Sequence, residues 1–162
     1  MFLDQATFRT VVSATPLVSI DLLVQNSDGE ILLGQRLNRP AQGYWFVPGG
    51  RILKNETLDA AFERLTQLEL GACFSRKVAT LIGVYEHFYE DSVFGDDPDT
   101  HYVVLGYHLR LPADVQLILP RIQHGHFRWC SLAEMRSNDA VHENTRAYLP
   151  ALSQVNDLSK RD

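Results

Sequence analysis

Gly50-Arg-Ile-Leu-Lys-Asn-Glu56, followed at fixed distances by Arg64, Glu69 and Gly71, is the stretch around which this chain is built. Just before it, Pro48-Gly49-Gly50 cannot continue a regular element, because proline lacks an amide donor and glycine accepts positive φ. The spacing therefore predicts a tight turn that can expose a carbonyl oxygen, a hard ligand suited to magnesium. Helix signals follow. Thr57 can cap, and Leu58, Ala61, Phe62, Leu65 and Leu68 recur at intervals of three and four residues, an apolar stripe for the core. Glu69 lies about 100° from Leu68, at the edge of that stripe. Glu56 and Arg64 can meet near the start of the helix, with Glu63 beside them, and Gly71 ends it as a C-cap residue would.

This spacing resembles the signature of the Nudix hydrolases, in which a glycine, a helix and several glutamates bind metal and diphosphate. Gly50, Glu56, Arg64, Glu69, Gly71 and Ala72 match it. Three positions depart: Leu65 replaces the glutamate after the arginine, Thr66 takes an apolar place, and Leu68 replaces the first glutamate of the closing pair. The leucines have joined the apolar stripe, which leaves Glu69 as the one helix carboxylate well placed for metal. Either the fold has lost its activity, or the catalytic base lies elsewhere in the chain.

Further segments are similar to one branch of that family, the GDP-mannose mannosyl hydrolases. They are Thr15-Pro-Leu-Val-Ser, Asn38 to Gly50, Glu86-His-Phe-Tyr, Thr100-His-Tyr-Val-Val-Leu-Gly and Val141-His-Glu-Asn, a resemblance that runs to about Tyr148. It implies an α/β fold, an α/β/α sandwich with a mixed sheet. It also implies a magnesium ion, for which manganese can substitute, on the Gly49 carbonyl, Glu69 and Gln123. The implied reaction is hydrolysis of GDP-mannose or GDP-glucose to GDP and free sugar, by inverting attack at the anomeric carbon.

The resemblance implies site residues as well. His124, in the polar loop Pro120-Arg-Ile-Gln-His-Gly-His126, is the implied general base; on its own, a loop histidine is ordinarily just solvated. Gly125-His126 stand where an acidic pair is expected. Arg36, whose planar fork suits a diphosphate, is implied as catalytic, with Asp21 on the sugar side. Arg51, Arg64, His87 and Tyr102 are implied to bind substrate, although Arg64 can equally be structural through Glu56. Asp21, between Ile20 and Leu22 in a strand, is costly to bury unless paired. Tyr44, Trp45 and Phe46 read as core and sheet packing. Attack on phosphorus, giving GMP and mannose 1-phosphate, is the alternative chemistry, and a non-catalytic nucleotide-sugar sensor is a third possibility.

Composition bounds the rest. At 162 residues and 45% hydrophobic, the chain is expected to form one domain over residues 1–162. Its net charge of -5, with no basic run, excludes nucleic acid as an expected partner. Cys73 and Cys130 lack metal-type spacing and read as buried free thiols of a reducing cytoplasm. No stretch is long enough for a membrane span. Phe2, Leu3 and Phe8 form an apolar N-terminus that suits a homodimer contact. Residues 18–24 and 30–35 read as a hairpin around Asn26-Ser-Asp-Gly29, and 78–89 and 102–111 as strands joined by an acidic loop. Residues 127–130 read as a short strand, Ser131 as a helix cap, and 141–151 as one last helix.

Overall fold

A computed structural model describes residues 3–120 and 124–159. Its spine is β1 (Leu17–Gln25), which runs parallel to β6 (Thr100–Arg110), from Leu17 opposite Tyr102 to Gln25 opposite Arg110. β5 (Ala79–Tyr89) lies antiparallel on the far side of β6. β1 turns into β2 (Ile31–Arg36) through the expected hairpin. There the Asn26 side chain accepts hydrogen bonds from the amides of Asp28 (3.0 Å) and Glu30 (2.9 Å), and Gly29 takes a φ of +82°. The two strands then diverge. β2 pairs with β3 (Trp45–Phe46) and β7 (His124–Cys130), while β1 receives β4 (Gly49–Arg51). The sheet is mixed, as expected.

Beyond the exposed Val18, both faces of β1 turn into the interior, which is why it reads as a nearly continuous apolar run. Ile20, Leu22 and Val24 pack under α2 (Leu58–Leu70) with Phe62 and Leu65. Leu23 points to the other layer, formed by α3 (Leu132–Ser137), α4 (Glu143–Arg146) and α5 (Leu149–Ser159). Asp21 shares the face of Leu23. The result is the expected α/β/α sandwich. No described helix is long and apolar enough to cross a membrane.

Four expectations need correction. Gly49-Gly50 is not a turn: it is part of β4, paired with Asp21 and Ile20, and neither glycine has a positive φ. Both positions exclude a side chain through close approach. A Cβ on Gly49 would collide with the Ile20 carbonyl and sit 2.6 Å from Asp21 Oδ1, and one on Gly50 would sit 2.6 Å from Leu65 Cδ2. The stripe of α2 is rotated from the predicted one. Leu58 and Leu68 are exposed, whereas Glu69 is only 3% exposed and lies within the buried face. The last helix is two, because Pro150 in the first turn of α5 has no N–H to continue the ladder from Arg146. Cys73 is exposed, and only Cys130 is buried, which pushes its thiol up to about 11.

One helix was not predicted. α1 (Gln5–Ala14) starts at Asp4, whose side chain accepts from the Thr7 amide at 3.0 Å. Phe8, Val11 and Val12 recur at helical spacing in it, but only Val12 is buried.

Candidate active site

β1, β2, β4, β5 and β6 bring their side chains together at an open cleft of about 390 Å³, within the range of small-molecule sites. Six of the predicted residues line it: Asp21, Arg36, Gly49, Arg51, His87 and Tyr102. Arg64 does not. It makes a two-pronged ion pair with Glu56 (Nε to Oε1 2.6 Å, NH2 to Oε2 2.9 Å) and donates to the Arg51 carbonyl at 2.8 Å. Arg64 therefore acts through position, bracing the backbone that presents Arg51. Glu56 also accepts from the Leu53 amide at 2.9 Å, and these bonds hold its carboxyl below the usual range, Arg64 first.

Arg36 is fixed from two sides. Its guanidinium lies 4.6 Å from the centre of the Phe46 ring and donates to the Pro40 carbonyl at 2.8 Å. The opposite face of Phe46 stacks on the His142 ring, 4.7 Å between centres. Phe46 is thus core packing, as expected, but its outer face also sets the place of a cation. Arg51 lies 4.1 Å from the Phe8 ring centre, and Phe8 lies 5.6 Å from Phe94 in the acidic loop. Phe8 therefore has partners within its own chain, while Leu3 is exposed.

Asp21 is half-buried at the wall of the cleft. Its Oδ2 accepts a hydrogen bond of 2.6 Å from the Tyr148 hydroxyl. Loss of water raises its carboxyl to about 6, against the opposing pull of Tyr148 and Arg36, and the charge of Glu69 adds to the rise. Across β5 and β6, His87 faces Tyr102. His87 is 5% exposed and its Nε2 has no hydrogen-bond partner among the described residues. Burial, with the charges of His142 and Arg36, lowers it to about 4, so it is neutral at working pH. Burial also raises the Tyr102 phenol, so that it too stays neutral.

The donor set for a metal is hard and small. β4 hydrogen-bonds to β1 through Leu22 to Pro48 (2.8 Å) and Ile52 to Val18 (2.9 Å). Because bonded pairs alternate in an antiparallel ladder, Asp21 and Gly49 form a non-bonded pair, and the Gly49 carbonyl is not spent on β1. Glu69 is near enough to Asp21 to raise it, a repulsion that a cation would relieve. Among the described residues no three His, Cys, Asp or Glu side chains cluster as metal ligands. Oxygen donors that few in number fit magnesium, which keeps much of its water, better than zinc. Gln123 lies outside the described residues, as does the His124 side chain. The His124 backbone pairs with Arg36 in the β2–β7 ladder, at a register shift after Gly34.

The NUDIX domain family matches residues 15–152. The low-salt glycan biosynthesis protein Agl8 of Haloferax volcanii is 39% identical over 107 residues, 66% of this chain and 67% of that protein. The ADP-ribose pyrophosphatase of Methanocaldococcus jannaschii is 37% identical over 70 residues, 43% of this chain and 40% of that protein. Among solved structures, the MutT NUDIX hydrolase of Burkholderia pseudomallei superposes with a TM-score of 0.66 at 28% identity, covering 87% of this chain and 98% of its own.

Proposed function

This chain belongs to the NUDIX family of hydrolases, and within it we propose a magnesium-dependent hydrolase that releases GDP and free sugar from GDP-mannose or GDP-glucose. One observation carries the proposal. Of the two acid positions that became leucine, Leu65 is 1% exposed and packed against Gly50, while Leu68 points into solvent at 46% exposure. That leaves α2 with Glu69 at the site side, too little to gather several metals and a water-activating carboxylate beside phosphorus. Attack at the sugar carbon needs less from the helix. The similarity to a glycan biosynthesis protein supports a nucleotide sugar as the substrate.

In this mechanism Arg36 and Arg51 hold the diphosphate and take up charge as it leaves. The Gly49 carbonyl, Glu69 and Gln123 would hold the ion, which when bound neutralises the leaving diphosphate. The bond from the anomeric carbon to the β-phosphate oxygen breaks, and its electron pair departs with GDP. Water attacks from the opposite face, inverting the carbon, and His124 takes the proton. Asp21, His87 and Tyr102 surround the sugar. Because His87 is neutral, it can donate or accept a hydrogen bond there without adding charge. Product chromatography tests the proposal: GDP with free mannose supports it, whereas GMP with mannose 1-phosphate replaces it with phosphorus attack.

Phosphorus attack is the second reading, and the similarity to an ADP-ribose pyrophosphatase favours it. ADP-ribose hydrolysis to AMP and ribose 5-phosphate, in the same assay, is its signature. We further propose a cytoplasmic homodimer, for which sedimentation equilibrium at twice the mass of the 18.4 kDa chain is the expected result.

A further inference from the structure

We propose that Tyr148 is a positioning residue of this site, one that acts by holding the Asp21 carboxylate in its working orientation. The inference rests on the reading of the cleft as a nucleotide-sugar site. Tyr148 and Asp21 are 127 positions apart, joined by a hydrogen bond of 2.6 Å from the phenol to Oδ2. The other oxygen, Oδ1, lies beside Gly49, where a Cβ would be 2.6 Å away. One carboxylate oxygen is therefore tethered and the other is kept along the cleft wall next to the Gly49 backbone.

The tether is itself immobilised. Tyr148 is fully buried, stands edge-on to the Tyr85 ring at 4.5 Å between centres, and lies over Gly106, where a Cβ would be 3.1 Å from Tyr148 Cε1. Its amide donates to the Thr145 carbonyl at 3.2 Å, and its carbonyl accepts from the Leu152 amide at 3.0 Å. It sits in the break between α4 and α5, the break that Pro150 enforces. A single continuous helix there would carry residue 148 on a regular face, while the interruption aims its ring through the second layer at β1. A buried phenol needs a polar partner, and among the described residues Asp21 is the one it has.

The experiment is a double-mutant cycle on the intact chain. A panel of GDP-mannose, GDP-glucose and ADP-ribose is screened first with magnesium, and the cycle is run on whichever is turned over. A wild type active only on ADP-ribose overturns the proposed substrate but leaves the Tyr148 test intact. Tyr148→Phe, which deletes only the hydroxyl, is expected to lower kcat roughly ten- to a hundredfold, the scale of a hydrogen bond to a charged group, with KM changed far less. Asp21→Ala is expected to lower kcat at least as much. In the Asp21→Ala background, Tyr148→Phe is expected to change kcat by no more than about twofold. Asp21→Asn replaces Asp21→Ala in the cycle if the alanine variant does not fold. Tyr85→Phe, which touches the Tyr148 ring but not Asp21, serves as the structural control and should leave kcat unchanged. The proposal is overturned if Tyr148→Phe retains wild-type kcat while losing only thermal stability. It is equally overturned if Asp21→Ala is fully active, or if the two losses simply multiply.

Discussion

His87 is a buried imidazole whose Nε2 has no hydrogen-bond partner among the described residues, and its ionisation can be read from stability as well as from rate. Its folded pKa, about 4, lies below the ordinary 6.5. As pH falls from 6.5 towards 4, the unfolded chain binds a proton that the folded chain does not, so stability is lost across that window, by roughly 3 kcal/mol. Asp21 has the opposite sign. Its carboxyl is raised to about 6, so its contribution is present below 3.8 and lost as pH rises through 6. Urea unfolding of wild type and His87→Asn at pH 7 and 4.5 separates the two, because the Asp21 contribution is common to both proteins. The advantage of wild type over the variant is expected to shrink at the lower pH; an unchanged difference would mean that His87 titrates normally. For His124 the expectation is kinetic. His124→Gln should lower kcat by about two to four orders of magnitude with little effect on unfolding, the usual contribution of a general base. Steady-state rates within a few-fold of wild type would remove it from that role.

In α2 and β4 the glycines and leucines set the geometry together. Gly50→Ala is expected to cost about 1–3 kcal/mol, since the new methyl meets the flexible end of Leu65. Gly49→Ala should cost more, because it meets the Ile20 backbone and the Asp21 carboxylate, neither of which can yield easily. Denaturant midpoints of the two variants give the ranking, and the reverse order would contradict the close approach of β4 to β1. Leu65→Glu and Leu68→Glu make the same chemical change at unlike places. The first buries an unpaired charge and should strongly destabilise, while the second should move stability by no more than about 0.5 kcal/mol. Much at this scale was legible in the sequence: the Thr57 cap, the Gly71 terminus, the Glu56–Arg64 pair and the hairpin at Asn26 all follow from local rules. The rotation of α2 was not. Leu68 and Glu69 are neighbours on the helix, and which of them turns inward depends on what the sheet offers beneath. Tyr148 was also invisible, because its partner lies 127 positions away and nothing local marks the pair. α1 was missed although its Asp4 cap and the helical spacing of Phe8, Val11 and Val12 are local signals; only Val12 is buried in it.

For the whole molecule, the fold and the metal are expected to be separable. The Gly49 strand is already fastened to β1 by backbone bonds, and α2 is fastened by Phe62, Leu65 and Leu70 in the core. Chelation with EDTA should therefore abolish turnover while leaving the thermal midpoint nearly unchanged, with magnesium or manganese restoring activity. A large fall in the midpoint on chelation would make the ion a structural element instead. A sandwich scaffold does not by itself choose between hydrolysis at phosphorus and at carbon. On the proposed reading, the choice lies in how few acids α2 presents and in Arg36 and Arg51 receiving the departing diphosphate. Hydrolysis of GDP-mannose with magnesium in oxygen-18 water, followed by mass spectrometry of the products, tests that choice most directly. Label in free mannose with unlabelled GDP is the expected result. Label in GMP or in mannose 1-phosphate would contradict it, and with it the idea that Leu65 and Leu68 turn the chemistry from phosphorus to carbon.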